Sequence, residues 1–384
     1  MTLKPQLGLA EVYNDNLFAQ TENKTADLTS VISPGLGVLV GKRSDDYLTL
    51  NYTFNQYIYA DRTDLNTSEH LLELNANLEG KRIGLRGTDR VQLLSSPLGN
   101  ERLLDVQSPD LSFAAVESNI DRTTFYDSYM LSYRTSEKTS VYGQGVRSRI
   151  DYEDRAFLFD ITTYSGTGGF GFQAFPKTVL FGEGFYGTTT SEANPAVVER
   201  LTAGGRTVSS IGQQVTFIGG GLGARGSFTP KLAGLVRAGY EVREIEDGAS
   251  LPGAPVVNLG LTYQYSPKTV FTVNYVRRQD VSVYFERQSY TSDVISVQAN
   301  QSLGSKGKWK ATGGGYYALY DYSPAEELPH RSYNVYTLYF SLAYQVQQWL
   351  TSSLSYERTS VLGGSTDVTA YDANRITLRF SIGY

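Results

Sequence analysis

Apolar and polar residues alternate with a period of two in segment after segment of this chain. In the last stretch, Ile376, Leu378, Phe380 and Ile382 fall on one face and Thr377, Arg379 and Ser381 on the other. Successive side chains of a strand point to opposite faces, so each such segment predicts a two-faced strand. A packed core would not accept Arg379 unpaired, whereas water would, so the polar face is wet. The clearest apolar stripe is Tyr336, Leu338, Phe340, Leu342 and Tyr344, aliphatic in the middle with Tyr at both ends. Leu48, Leu50, Tyr52 and Phe54 form another, as do Leu72, Leu74, Ala76 and Leu78. Interleaved with them run Thr49, Asn51, Thr53 and Asn55, then Glu73, Asn75, Asn77 and Glu79. Aromatic ends around an aliphatic centre are the girdle pattern of a membrane barrel.

Short connections recur near 44, 81, 136, 176, 230, 267, 306 and 347, and three of them contain Pro-Lys: Pro176-Lys177, Pro230-Lys231 and Pro267-Lys268. Proline presets φ for a turn and cannot donate to a ladder, so it marks where pairing ends. Longer polar segments alternate strictly with these turns, the longest at 95–121 and 189–213. Short periplasmic turns and long external loops predict this alternation. The chain therefore reads as one all-β domain over 1–384, a transmembrane antiparallel up-and-down barrel with a first strand near Leu3 to Tyr13 pairing the last. The strand count is about eighteen, or sixteen if the segments around Ser140 or Thr178 are misread. A soluble β-sandwich or β-helix is the alternative, and it would need protected edges that the sequence does not advertise. Two positions fit poorly. Asp89 shares the outward parity of Val91 and Leu93, and Glu183 sits awkwardly beside Phe181 and Phe185, which calls for bulges or a register slip.

Composition agrees with an all-strand chain: 29 Tyr and 38 Gly in 384 residues, with no Cys. Absence of Cys removes disulfides and thiolate metal sites. Mean hydropathy is −0.29, and no apolar run approaches the roughly 18 residues of a membrane helix. The start, Met1-Thr2-Leu3-Lys4-Pro5-Gln6, has no apolar signal core, as expected of a mature or re-engineered N-terminus. A net charge of −5 argues against a nucleic-acid partner.

Candidate chemistry lies on the inward faces. Arg82, Arg86 and Arg90 share one segment; Arg237, Glu241 and Arg243 another; Lys310, Arg375 and Arg379 lie near the seam. Such groups tune solute selectivity in a lumen, or brace the wall by pairing with Glu73, Glu79 or Glu357. Tyr316, Tyr320 and Tyr339 offer flat faces and hydroxyls to a sugar ring, or fill space at the rim. The expected pore-lining set is Glu73, Arg86, Arg90, Arg237, Glu241, Lys310, Tyr316, Tyr339, Arg375 and Arg379. The segment 95–121, the third external loop, carries Glu101, Asp105, Asp110 and Glu117 and is expected to fold inward as a constriction. Catalysis is not expected: the two histidines, His70 and His330, lie near external loops, and no nucleophile elbow is present. The run Gly219-Gly220-Gly221-Leu222-Gly223 is not followed by Lys-Ser or Lys-Thr, so it is no phosphate loop; it lets a wall bend or a loop approach. No metal and no cofactor is expected.

The stretch Val12-Tyr13-Asn14-Asp15-Asn16-Leu17-Phe18, then Asp27, Ile32-Ser33-Pro34-Gly35-Leu36, Leu50-Asn51-Tyr52 and Tyr57 resembles the outer-membrane β-barrel porin family encoded in exopolysaccharide gene clusters. With the Pro-Lys turns and the ending Phe380-Ser381-Ile382-Gly383-Tyr384, the resemblance runs through the whole chain. It implies an eighteen-stranded outer-membrane pore through which a polysaccharide leaves, working with a periplasmic polysaccharide export protein. The ending also resembles the signal read by the barrel assembly machinery, carried by Phe380, Ile382 and Tyr384, with Tyr in place of the usual Phe. A passive porin for small sugars or ions is the competing reading, and a structural barrel without transport the third. The outward faces read as uniformly lipid-compatible, which favours a monomeric barrel. The basic turns, Lys42, Lys81, Lys138, Lys177, Lys231 and Lys268 among them, either dock the periplasmic partner or are merely solvated.

Overall fold

The computed structural model describes residues 1–42, 46–97, 119–153, 159–193, 213–246, 250–281, 289–304, 307–322, 330–363 and 370–383. Its strands are β1 Thr2–Asn14, β2 Asp27–Gly41, β3 Tyr47–Tyr59, β4 Thr67–Glu79, β5 Ile83–Pro97 and β6 Asn119–Arg134. They continue as β7 Thr139–Tyr152, β8 Phe159–Phe175, β9 Thr178–Ala193, β10 Gln213–Ser227, β11 Leu232–Ile245 and β12 Ser250–Ser266. The last six are β13 Thr269–Val281, β14 Ser289–Leu303, β15 Trp309–Tyr322, β16 Arg331–Gln345, β17 Leu350–Gly363 and β18 Tyr371–Gly383. Each pairs antiparallel with its neighbours in sequence, and β1 pairs β18 as well as β2, so a sheet of 18 strands closes on itself. The count of sixteen is excluded. Closure leaves no unpaired edge, the condition for a sheet to sit in lipid.

Strands run 13 to 17 residues, beyond the roughly 9–11 that span hydrocarbon. The ladders also extend into the segments that the sequence assigns to the two longest loops: β5 reaches Pro97, β6 begins at Asn119, and β9 reaches Ala193. All three Pro-Lys pairs lie at short turns, and those after β8 and β12 follow a register shift. Gly226 has a φ of +125°, and a Cβ there would strike the Lys177 carbonyl, so this corner requires glycine.

The long connections mark the extracellular end. About halfway up the strands, outward tyrosines reach a polar side chain on the next strand: Tyr52 Oη to His70 Nδ1 (2.9 Å), Tyr275 to Asp293 (2.6 Å), Tyr317 to Asn334 (2.8 Å) and Tyr356 to Asn374 (2.7 Å). An apolar ring with a satisfied hydroxyl suits the headgroup level, so these bonds mark the upper limit of the apolar belt. At the opposite end Trp309 packs on Tyr344, with ring centroids 4.5 Å apart.

Asp89 faces outward without any slip, since β5 and β6 keep one register from Ile83 opposite Tyr133 to Pro97 opposite Asn119. Tyr129 donates its hydroxyl to Asp89. Glu183 faces the lumen together with Phe181 and Phe185, so that parity is continuous too. The exterior is thus not uniform: over β5 to β7 it carries Asp89, Asp127, Arg147 and Arg149.

Candidate functional site

The first external loop turns inward at the rim, and the Asn14–Phe18 signature explains how. Asp15 accepts from both the backbone N–H and the side-chain amide of Asn374 (2.6 Å each), tying the loop to β18. Asn16 donates to the carbonyls of Gln20 (2.7 Å) and Asp372 (2.8 Å) and accepts from the Gln20 N–H (2.8 Å), which sets a tight turn. That turn drives Leu17 and Phe18, both fully buried, against Tyr59 and Leu65, while Ala19 joins the cluster formed by Tyr333, Val335, Val361 and Tyr371. The Arg62 guanidinium lies 4.7 Å from the Phe18 ring centroid and forms a fork with Asp64 (2.9 and 2.8 Å), which holds the Asp64 carboxyl below its ordinary value. Asp27 accepts from the N–H groups of Ala60 (3.1 Å) and Arg62 (2.9 Å), docking the second loop on the first.

Along β7 to β12 the inner wall carries rings seated on glycines. Tyr142, Phe181, Phe185 and Phe217 stand in register opposite Gly169, Gly223, Gly219 and Gly187. A Cβ at any of these glycines would run into the ring. The glycine run of β10 therefore receives aromatic rings from β9, rather than a bend or a loop as the sequence suggests. Arginines stack on the other side: Arg225 is 5.2 Å from Tyr142 and 5.4 Å from Phe181, Arg237 is 5.0 Å from Phe185, and Arg243 is 5.2 Å from Phe217. Arg237 pairs with Glu183 and Arg243 with Glu241, at 2.5 Å each. Replacing Gly219 by Val is expected to displace the Phe185 ring and Arg237, costing about 1–3 kcal/mol. A lower urea midpoint for the heat-modifiable folded band would register it.

Below this ladder, at the periplasmic end, lies a concavity of about 250 Å3 lined by Glu79, Arg82, Arg86, Arg134, Glu137, Lys138 and Arg225. Glu79 is shared between Arg134 (3.5 Å) and Arg86 (4.0 Å). Among the described residues no carboxylate pairs with Arg225, Lys4 or Lys310. Positive charge is therefore in excess on this inner wall, although the chain as a whole carries −5.

No family model matches the chain, and no curated protein matches it. Among solved structures it is similar to the outer membrane protein OpdK from Pseudomonas aeruginosa, at 9% identity over 100% of this chain and 99% of that one, with a TM-score of 0.46. It is similar to OccAB3 from Acinetobacter baumannii at 12% identity, over 100% and 99%, with a TM-score of 0.47. The siderophore receptor PirA from Pseudomonas aeruginosa aligns at 8% identity over 100% of this chain and 80% of that one, with a TM-score of 0.45. The closed ladder and its apolar outer belt make this chain an integral outer-membrane β-barrel.

Register places Glu73, Arg86, Arg90, Arg237, Glu241, Lys310, Tyr316, Tyr339, Arg375 and Arg379 on inward positions. They are not equivalent there. Arg90 pairs with Glu73 (2.9 Å) and Arg375 with Glu357 (3.5 Å), bracing neighbouring strands. Glu241 is buried with Arg243. Tyr316 and Tyr320 are buried as well, bonded to each other at 3.0 Å, and Tyr320 stacks on Tyr333 at 4.7 Å, so neither offers a free face to a sugar. Tyr339 lies over Gly314 and donates to Gln298 (3.2 Å). Glu101, Asp105, Asp110, Glu117 and Tyr384 lie outside the described residues. Arg225 and the inward first loop escaped the sequence reading; the in-register Gly–aromatic pairs are the signal that could have found the former.

Proposed function

We propose that this barrel is a passive channel for small hydrophilic solutes, with a preference for anions. The carrying observation is the basic inner wall at the periplasmic end, where Arg225, Lys4 and Lys310 lack carboxylate partners among the described residues. Clusters of Arg and Lys on a pore wall favour anions, and a barrel of about this strand number encloses an aqueous bore. The inward Asn, Thr, Ser and Gln rows supply weak, exchangeable hydrogen bonds, as passage requires.

Polysaccharide export with a periplasmic export protein is the second reading, supported by the sequence resemblance and the basic turns. Two of those lysines are engaged between turns: Lys231 Nζ donates to the Tyr265 carbonyl (3.3 Å) and Lys268 Nζ to that of Gly304 (3.0 Å). Phe380 and Ile382, outward on β18, support the reading of the ending as an assembly signal for the barrel assembly machinery. Deleting the gene separates the two functions. Slower uptake of small anions with intact surface polysaccharide is expected; lost polysaccharide with unchanged uptake would overturn the channel reading.

A further inference from the structure

From the periplasmic end, β6 presents Tyr133, Leu131, Tyr129, Asp127 and Phe125 outward, so Asp127 lies beneath a position that is still apolar. In the same rows β7 presents Val141, Gly143, Gly145 and Arg147. Arg147 Nε contacts Asp127 Oδ2 at 2.5 Å, and the Arg147 side chain remains 47% exposed on the lipid-facing side. A guanidinium has five donors, and hydrocarbon offers nothing to receive them.

Beside this pair the wall is hollow. Register puts Gly143, Gly168, Gly184 and Gly220 in one outward row across β7 to β10, with Gly145 and Gly166 in the row above. Gly145 and Gly166, together with Tyr129, Arg147, Tyr164 and Tyr186, border a recess of about 410 Å3 just above the four-glycine row. At Gly143, Gly145, Gly166 and Gly168 a Cβ would meet nothing within 4 Å, and none of the four has positive φ. The barrel's own packing therefore does not require glycine there, although glycine weakens a strand interior. Small residues on a membrane-facing surface let a second surface approach closely.

We propose that this sector is the interface of a two-fold homodimer whose axis runs along the membrane normal, between β6 and β7. Two copies inserted in the same direction can make an isologous contact only by rotation about that normal. The rotation preserves height and exchanges left with right, so β6 of one copy meets β7 of the other. Asp127 then faces the partner's Arg147, Tyr129 the partner's Gly145, and Leu131 the partner's Gly143. Each row sets acid against base or a large side chain against a glycine. That match of charge and shape is the argument for a second copy over lipid, whose tails bring neither donors nor acceptors. The inference does not rest on which solute the pore carries.

The full chain extracted in mild detergent should have twice the 42.4 kDa chain mass by light scattering. Gly145→Trp should give a monomer whose single-barrel conductance is unchanged, since its side chain enters open space; Gly168→Leu should do the same. The chain has no Cys, so Leu131→Cys and Gly143→Cys can be carried on two differently tagged copies in one cell. Oxidation of outer membranes should link them at least tenfold more than the control pair Leu338→Cys and Leu354→Cys on the opposite wall. A wild-type monomer, a trimer, a monomer with lipid retained in the recess, or a Gly145→Trp protein of unchanged mass would each overturn the proposal.

Discussion

Replacing Lys4, Arg225 and Lys310 together by Glu is expected to turn an anion-preferring channel into a cation-preferring one. Each site changes by two charge units. A single charge about 7 Å from a permeating ion contributes about 0.6 kcal/mol at the dielectric constant of water. A Debye length near 8 Å at physiological salt leaves part of that effect in the bore. The sum predicts a swing of about tenfold or more in the anion-to-cation permeability ratio, since about 1.4 kcal/mol corresponds to a factor of ten. Reversal potentials under a KCl gradient in planar bilayers would measure it, and an unchanged sign would remove the basic wall from the permeation path. Arg90→Gln combined with Glu73→Gln is the control. The two side chains pair at 2.9 Å, so removing both leaves the net charge of the wall unchanged and selectivity should hardly move.

The second large effect concerns the first external loop. Leu17 and Phe18 are fully buried against Tyr59 and Leu65. Truncating both to Ala removes most of the apolar contact holding the loop inward. Large-to-small changes at such sites cost about 2–5 kcal/mol each. The loop should leave its seat while the ladders stay intact. Single-channel recordings should show higher conductance or rapid flicker, and protease should cut near Gln20 far faster than in the wild type. Unchanged recordings and unchanged cleavage would mean that the loop does not narrow the mouth.

Much of this was legible in the sequence because a closed barrel repeats one rule. The alternation through Tyr336 to Tyr344 sets which face meets lipid, and the Pro-Lys turns set where each ladder ends. Asp89 was legible as outward but looked like an error, because a single chain does not reveal what might cover a polar outer position. The tyrosines misled for another reason. Tyr316 and Tyr320 have inward parity, but parity carries no information about neighbours. Three further rings, Tyr290, Tyr322 and Tyr333, gather around them through strand pairings. Arg225 hid beside a glycine run, where its ring partners come from β7 and β9 rather than from its own strand. The signature Asn14-Asp15-Asn16-Leu17-Phe18 was recognisable as a motif, yet its inward fold depends on Asp372 and Asn374 at the far end of the chain.

That dependence bears on how the barrel is completed. All other ladders join strands adjacent in sequence, whereas the β1–β18 ladder joins the two ends of the chain, and Asp15 and Asn374, bonded just beyond its last pair, are 359 positions apart. Loop-closure entropy must be met before such a contact returns anything, so the seam is the natural last step of assembly. Asp15 and Asn16 form a latch there: the bonds of Asp15 to Asn374 and of Asn16 to the Asp372 carbonyl can form only once the first and last strands have met.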